Sequence, residues 1–258
     1  MKILILGRND KFTKIIFNKI YGIEKEVYLI TEDPPSKIKF LIKRIKKMGL
    51  FKVIGQILFI LIIIPYLKII SQKRINELMK ESNFSTELSN IRMGRNYFHY
   101  DTINSEEVKK KILEINPEII IVNGTRIIKK NILSALKNIS FINMHSGITP
   151  KYRGVHGGYW SLVNNDKENC GVTIHKVDSG IDTGEIISQK IIKVSSSDNI
   201  ITYPYLQLKI GIEEEIKIIF QIKNNKKIEY IKNNLESKLY SHPTLFEYIY
   251  NWIKKDVK

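Results

Sequence analysis

The chain has 258 residues, enough for one main core with an appendage, and 43% of them are hydrophobic, as in a globular protein. Its 42 basic and 26 acidic residues leave a formal charge of +16, which favours an anionic partner, although a general crowding with Ile, Lys and Asn accounts for part of it. The single cysteine, Cys170, excludes an intrachain disulfide and a cysteine-based metal cluster, and it fits a reducing compartment.

Lys2 to Leu6 reads as a buried strand, Gly7 to Asp10 as a turn, Lys11 to Ile20 as a helix with apolar residues at helical spacing, and Glu26 to Thr31 as a second strand. The apolar part of MKILILGRND is too short for a signal peptide, so a cytoplasmic location is expected. This order predicts an α/β fold, doubly wound around a mostly parallel sheet. The glycine after the first strand lacks the spaced partners of a dinucleotide fingerprint.

From Lys37 to Arg74 the alternation stops, which predicts a helical insertion over about residues 35–85. Lys37, Lys39, Lys43, Arg44, Lys46, Lys47 and Lys52 precede the apolar run Val53 to Ile70, and Lys68, Lys73 and Arg74 close it. The run carries Gln56 and is interrupted by Pro65, whereas a clean membrane span wants about 20 apolar residues. Three readings stand: a helix buried in the core or at a homodimer interface, a helix lying in an anionic leaflet, and a span. The second implies reversible attachment to the inner face of the cell membrane through residues 37–74.

Ser105 to Ile115 predicts a helix, Glu118 to Val122 a buried strand, Asn123 to Arg126 a turn, Lys129 to Lys137 a helix and Ser140 to Met144 the next strand. In such a crossover the ligand crevice lies beyond the carboxyl ends of the strands, where Asn123 to Arg126 and Asn143 to His145 both fall. Side chains alternate across a strand, so Asn143 and His145 share one side. Downstream, GVTIHKVDSGIDTG predicts a second strand ending in a turn with Asp178 and Asp182. An amide, an imidazole and a carboxylate together suit attack of an amine on a carbonyl. Residue order does not choose between the two aspartates. Zinc held by His145, His156 and His175 is the rival reading, without a supporting spacing such as H-E-x-x-H. The glycine-rich stretch from Tyr152 to Gly158 is not a phosphate loop, because no G-K-S/T follows.

Beyond Ser195, Asp198 to Leu206 reads as a loop and short helix, Lys209 to Ile222 as an amphipathic helix, Lys227 to Ile231 as a strand, and Thr244 to Ile253 as a closing helix. A catalytic domain over 1–195 and a small, mainly helical extension over 196–258 are expected.

Asn143-Met144-His145, followed by Pro150, Tyr152-Arg153-Gly154 and Ile181-Asp182-Thr183-Gly184, resembles the signature of the formyltransferases that use 10-formyltetrahydrofolate. The resemblance covers residues 110–195 well and the first strand more loosely. It implies a Rossmann-like core and no metal. Asn143, His145 and Asp182 match the catalytic residues, Asp182 being preferred to Asp178 because it stands directly before x-G. Asn123, Gly124, Thr125 and Ile127, with Val177, Asp178 and Gly180, match the walls of the folate pocket. Tyr152, Arg153 and His156 fall where the acceptor is met, and an arginine there suits a phosphate of a nucleotide sugar or lipid carrier. The implied reaction is formyl transfer to a primary amine, with Asn143 and a protonated His145 holding the oxyanion. An amino sugar is the expected acceptor, since the tRNA enzymes of the family carry a C-terminal barrel and the tail here reads as short and helical. Methionyl-tRNA or glycinamide ribonucleotide as acceptor, hydrolysis of the folate donor, and a catalytically silent membrane-associated binding protein are the alternatives.

Overall fold

The computed structural model describes the backbone of all 258 residues and every side chain except those of Lys37, Lys39 and Phe40. Lys37 and Lys39 of the basic flank therefore lie outside the described side chains. The first half of the chain runs β1 (Ile3–Arg8), α1 (Lys11–Ile23), β2 (Val27–Glu32), α2 (Lys37–Met48), α3 (Leu50–Leu58), a π turn at Phe59–Ile63, α4 (Ile64–Ile70), α5 (Gln72–Glu81), β3 (Tyr97–Tyr100), α6 (Glu106–Ile115) and β4 (Ile119–Asn123). It continues with α7 (Lys130–Ala135), β5 (Ser140–His145), β6 (Arg153–Gly154), α8 (Gly157–Val163), β7 (Gly171–Lys176), β8 (Ile186–Ile191), α9 (Tyr203–Lys223), β9 (Leu239–Tyr240) and α10 (Leu245–Lys255).

Seven strands form one sheet in the order β3-β2-β1-β4-β5-β7-β8, parallel from β3 through β5 and antiparallel at β7 and β8. The doubly wound, mostly parallel sheet is the one the alternation predicts. Helices cover both faces, so β1 and β4 are almost wholly buried and read as unbroken apolar runs. Ile3 and Ile5 point into one cluster with Ile15, Ile16 and Ile20 of α1, while Leu4 and Leu6 point into the other with Val108 and Ile112 of α6. The strand order reverses between β1 and β4, and in such sheets the ligand crevice lies beyond the carboxyl ends of the strands at this point.

Several elements differ from their expected form. The strand β3 is only four residues long and follows the insertion, so no crossover pattern marks it. Lys227 to Ile231 is not a strand; it contributes a single antiparallel bridge, Ile186 to Ile231. The helix α9 starts at Tyr203 and is unbroken, because Pro204 sits in its first turn, where a missing N–H costs nothing. Its Leu208, Ile212, Ile218 and Ile219 bury in the same cluster as the sheet, so the chain beyond residue 195 shares the main core. At Gly211 a methyl group would collide with Met144, and the bare backbone lets α9 press on β5 directly behind Asn143 and His145.

Glu215, also on α9, is wholly buried, and neither carboxylate oxygen has a hydrogen-bond partner among the described residues. Burial raises its pKa from 4.5 to about 8. The folded state therefore binds this proton more tightly than the unfolded chain, a stabilisation present below pH 4.5 and lost as pH rises through about 8. At pH 7 the unfolded chain has lost this proton and the folded chain keeps it, so its uptake opposes folding by roughly 3 kcal/mol. Glu215→Met is expected to raise the melting temperature clearly at pH 7.5 and far less at pH 5, as read by thermal unfolding at both.

The apolar run forms one continuous helix of 21 residues from Leu50 to Ile70, within which an 18-residue stretch has a mean hydropathy of 2.4. Pro65 does not interrupt it. The proline lacks an N–H and stands in the first turn of α4, and the π turn ahead of it carries the strain, Ile64 N–H reaching back to the Phe59 carbonyl. By length and composition this helix is able to cross a membrane, yet one stripe of it is buried. Val53, Phe59, Ile63 and Leu67 face the rest of the fold, the last three in a cluster with Tyr159, Tyr203 and Tyr248.

Candidate active site

Asn143 and His145 end β5 on one side of the strand, and β7 runs antiparallel beside them with Asn143 opposite His175 and His145 opposite Thr173. The turn after β7 brings Asp182 back over this pair. Its Oδ2 lies 3.4 Å from Nδ1 of His145, and its Oδ1 lies 3.8 Å from Nε2 of His175. The Gly154 amide donates to the same Oδ2 at 2.9 Å. Asp182 itself sits at φ 52°, in the left-handed region that L residues enter at a cost, so the turn holds its carboxylate in place against backbone strain.

The structure separates the two aspartates. Asp178 serves its own turn, accepting from the Gly180 amide at 3.0 Å and from the Thr183 hydroxyl at 2.8 Å. Asp182 alone reaches the histidines.

His145 is buried between two acceptors: Nε2 is 2.7 Å from the Tyr152 carbonyl oxygen, and Nδ1 faces Asp182. Burial pulls its pKa below the ordinary 6.5, outweighing the Asp182 charge and the Tyr152 carbonyl, which act upward. The resting imidazole is therefore neutral near pH 7, which amends the expectation of a protonated His145. A ring facing two acceptors with one proton is arranged to gain a second. For Asp182, burial acts upward but is exceeded by the neighbouring His175 and His145 rings and the Gly154 amide, so its pKa is lowered and it stays ionised.

His175 is a residue the sequence reading used only as a zinc alternative. Its Nδ1 donates to the Lys176 carbonyl oxygen at 2.6 Å, which leaves Nε2 to accept from the Asn143 amide at 3.1 Å. It thereby orients the Asn143 amide. The signal for it was the register of β7 against β5, which the sequence does not contain.

On the other side of the crevice, Asn123 donates to the Thr13 hydroxyl at 2.9 Å, and Gly124 adopts φ 65°, which suits a residue without Cβ. The loop they begin is held by buried Glu32, which accepts from the Arg126 amide at 2.6 Å and pairs with its guanidinium at 2.8 Å. Thr125 is half-buried and Ile127 is exposed on this fixed loop. Val177 packs against the cluster that also contains Ile128 and Phe141, next to the loop and the strand from which the two expected wall stretches run.

The acceptor-side residues divide. Tyr152 is buried, its ring stacked on Tyr240 and its hydroxyl donating to Asp166 at 2.7 Å, so its side chain has no path to an acceptor; what it offers the site is its carbonyl. Arg153 donates to the Ile181 carbonyl oxygen at 2.9 Å and so steadies the turn that carries Asp182. His156 pairs with His242 at 2.9 Å, and burial lowers both, His156 to about 3 and His242 to about 4, which keeps both neutral. The histidines of the zinc alternative are thus split, His156 standing with His242 and apart from His145 and His175, and among the described residues no group of three His, Cys, Asp or Glu side chains is arranged to hold a metal ion. A cavity of about 380 Å³, bordered by Lys25, Arg92 and Arg95, lies beyond the amino ends of β2 and β3, at the far end of the sheet from this chemistry.

A family model described as formyl transferase matches residues 68–205. A methionyl-tRNA formyltransferase of Finegoldia magna is 42% identical over 95 residues, which are 36% of this chain and 30% of the relative. The chain spans about a third of the length of the curated relatives it matches first. Among solved structures, glycinamide ribonucleotide transformylase 1 from Symbiobacterium toebii superposes with a TM-score of 0.56 at 15% identity, covering 93% of this chain and 95% of that one. An N-formyltransferase from Helicobacter canadensis, in complex with folinic acid and dTDP-3-aminofucose, superposes with a TM-score of 0.52 at 20% identity, covering 93% and 71%. At these identities the two structures share the fold.

Proposed function

Because the chain belongs to the formyl transferase family, we propose that it moves the formyl group of 10-formyltetrahydrofolate onto the primary amine of an amino sugar. The observation that carries the reaction is His145, neutral at rest between the Tyr152 carbonyl and the Asp182 carboxylate, with the Asn143 amide beside it.

The donor would supply an electrophilic formyl carbon and a nitrogen leaving group. The residues present suit it: the fixed loop from Asn123 and the turn from Val177 adjoin one apolar cluster, and exposed Ile127 and Ile181 offer apolar surface for a flat pterin. Asn143 spends one amide hydrogen on His175 and directs the other to the oxygen that gains charge as the amine attacks. The proton shed by the amine would be taken up between Nδ1 of His145 and Oδ2 of Asp182 and passed on to the folate nitrogen as its bond to the formyl carbon breaks. The resulting imidazolium is then held at both nitrogens, so the site binds its charge better than it binds the resting state. Gly154 and Arg153 keep the carboxylate from following the proton away.

The choice of acceptor rests on the next layer. Gly154 pairs with Tyr240, whose ring stacks on Trp160 at 5.2 Å, and both rings are partly exposed. Tyr240 is stacked on Tyr152 as well as on Trp160, so the partly exposed Trp160 ring is the aromatic surface this layer offers a sugar or nucleobase. The aminosugar nucleotide bound by the Helicobacter canadensis relative supports the same choice. Methionyl-tRNA is the second reading, favoured by the curated relatives and by the charge of +16.

Incubation with 10-formyltetrahydrofolate and a panel of nucleotide-linked amino sugars, glycinamide ribonucleotide, and methionyl-tRNA, read by mass spectrometry, tests this. A formylated amino sugar is expected. Product only on methionyl-tRNA overturns the acceptor, and formate release that ignores every amine overturns transfer itself.

A further inference from the structure

The helix from Leu50 to Ile70 and α10 are far apart in sequence and packed together in space. The Phe59 and Tyr248 rings meet at 5.2 Å, and Gly55 lies so close to Thr244 that a Cβ there would crowd its side chain. Each helix buries an inner stripe in one shared cluster, so their outer stripes face away from that cluster together. Those outer stripes are apolar. Phe51 is 89% exposed, Leu61 67% and Ile69 76%; on α10, Phe246 is 75% and Ile253 73% exposed. Large contiguous apolar faces of this kind are rare on monomers unless something covers them.

Charge says what covers this one. Residues 37–76 contain ten basic side chains and no acidic one. Lys43, Lys46, Lys47, Lys52, Lys68 and Lys73 are exposed around the apolar stripe, and Lys254 stands at the end of α10. In a two-fold pairing with a second copy this basic rim would largely meet itself, since residues 37–76 hold no carboxylate and α10 holds only Glu247. An anionic lipid surface answers both features, headgroups taking the lysines and the acyl boundary taking the rings and branched chains. Full insertion is opposed by Gln56, whose amide nitrogen donates to the Ser241 hydroxyl at 2.9 Å and to the His242 carbonyl oxygen at 2.6 Å, tying the helix to the fold.

We propose that the outer faces of α3, α4 and α10 form one composite docking surface that seats the protein, unspanned, on an anionic bilayer. The face leads directly to the acceptor side: Gln56 holds His242, His242 holds His156, and His156 heads α8 beside the catalytic loop.

Flotation with liposomes tests this without any substrate. The full chain is expected to float with vesicles of phosphatidylglycerol and phosphatidylcholine at low salt, to stay behind with phosphatidylcholine alone, and to be released by high salt. The triple change Phe246→Ser, Tyr250→Ser and Ile253→Ser on α10 should lower partitioning at least about tenfold, as should Phe51→Ser with Leu61→Ser and Ile69→Ser. All six side chains are exposed, and unchanged melting curves show that the fold survives. Unchanged flotation of the α10 variant overturns the composite face. Dimerisation in solution without flotation overturns the lipid partner, and protein that resists high salt overturns peripheral seating.

Discussion

Replacing His145 with alanine is expected to lower turnover at least about a hundredfold, the usual scale for losing a positioned proton-transfer group, with the fold intact. The expectation follows from the ring's two neighbours. One proton serves two acceptors at rest, and the reaction delivers the second. Without the ring, the proton leaving the amine has only Asp182, whose pKa is held low and which takes it poorly. Single-turnover transfer, alongside a melting curve, checks the result. Near-normal turnover in a folded His145→Ala protein would remove the mechanism. Asn143→Ala should lose a comparable factor through the oxyanion.

Asp182→Asn should also cost at least about a hundredfold, while Asp178→Asn should cost little, because Asp178 contacts only its own turn. The pH profile distinguishes a change at the pair from general damage. The wild-type rate should rise with pH along an acid limb below 6.5 and level off near neutrality, since His145 must be neutral to accept. The Asp182 charge holds the His145 pKa up, so its removal moves that limb to still lower pH. The double variant His145→Ala with Asp182→Asn should be scarcely worse than either single one, as for groups that act as a unit. If Asp178→Asn were the damaging change, the assignment of the carboxylate is wrong.

Residue order left Asp178 and Asp182 open and the family resemblance selected Asp182, whereas Asn143 and His145 were readable as a pair because they share a side by the period of a strand. The same logic exposed the alternation of β1, α1, β2, β4 and β5. What stayed hidden depends on register and on long-range contact. His175 joins the site because β7 pairs with β5 at one offset and no other. Tyr152 looked free to meet an acceptor, and its burial against Tyr240 is set 88 positions further along the chain. The apolar helix showed its composition openly, but not that Gln56 has partners at 241 and 242, which is what turns a segment long enough to span into a packed element.

That last arrangement bears on the order in which the chain is made. The inner stripe of the apolar helix emerges early in synthesis, whereas Tyr159, Tyr203 and Tyr248, the rings that cover it, follow one by one up to the last helix. Until then the nascent chain carries this 21-residue apolar helix with its cover incomplete. Contacts of such separation close late, since the intervening chain must be ordered first. The ribosome-bound protein thus passes through a stage in which a chaperone or a nearby bilayer is the best cover on offer, and completion of α10 decides when the helix is withdrawn from it.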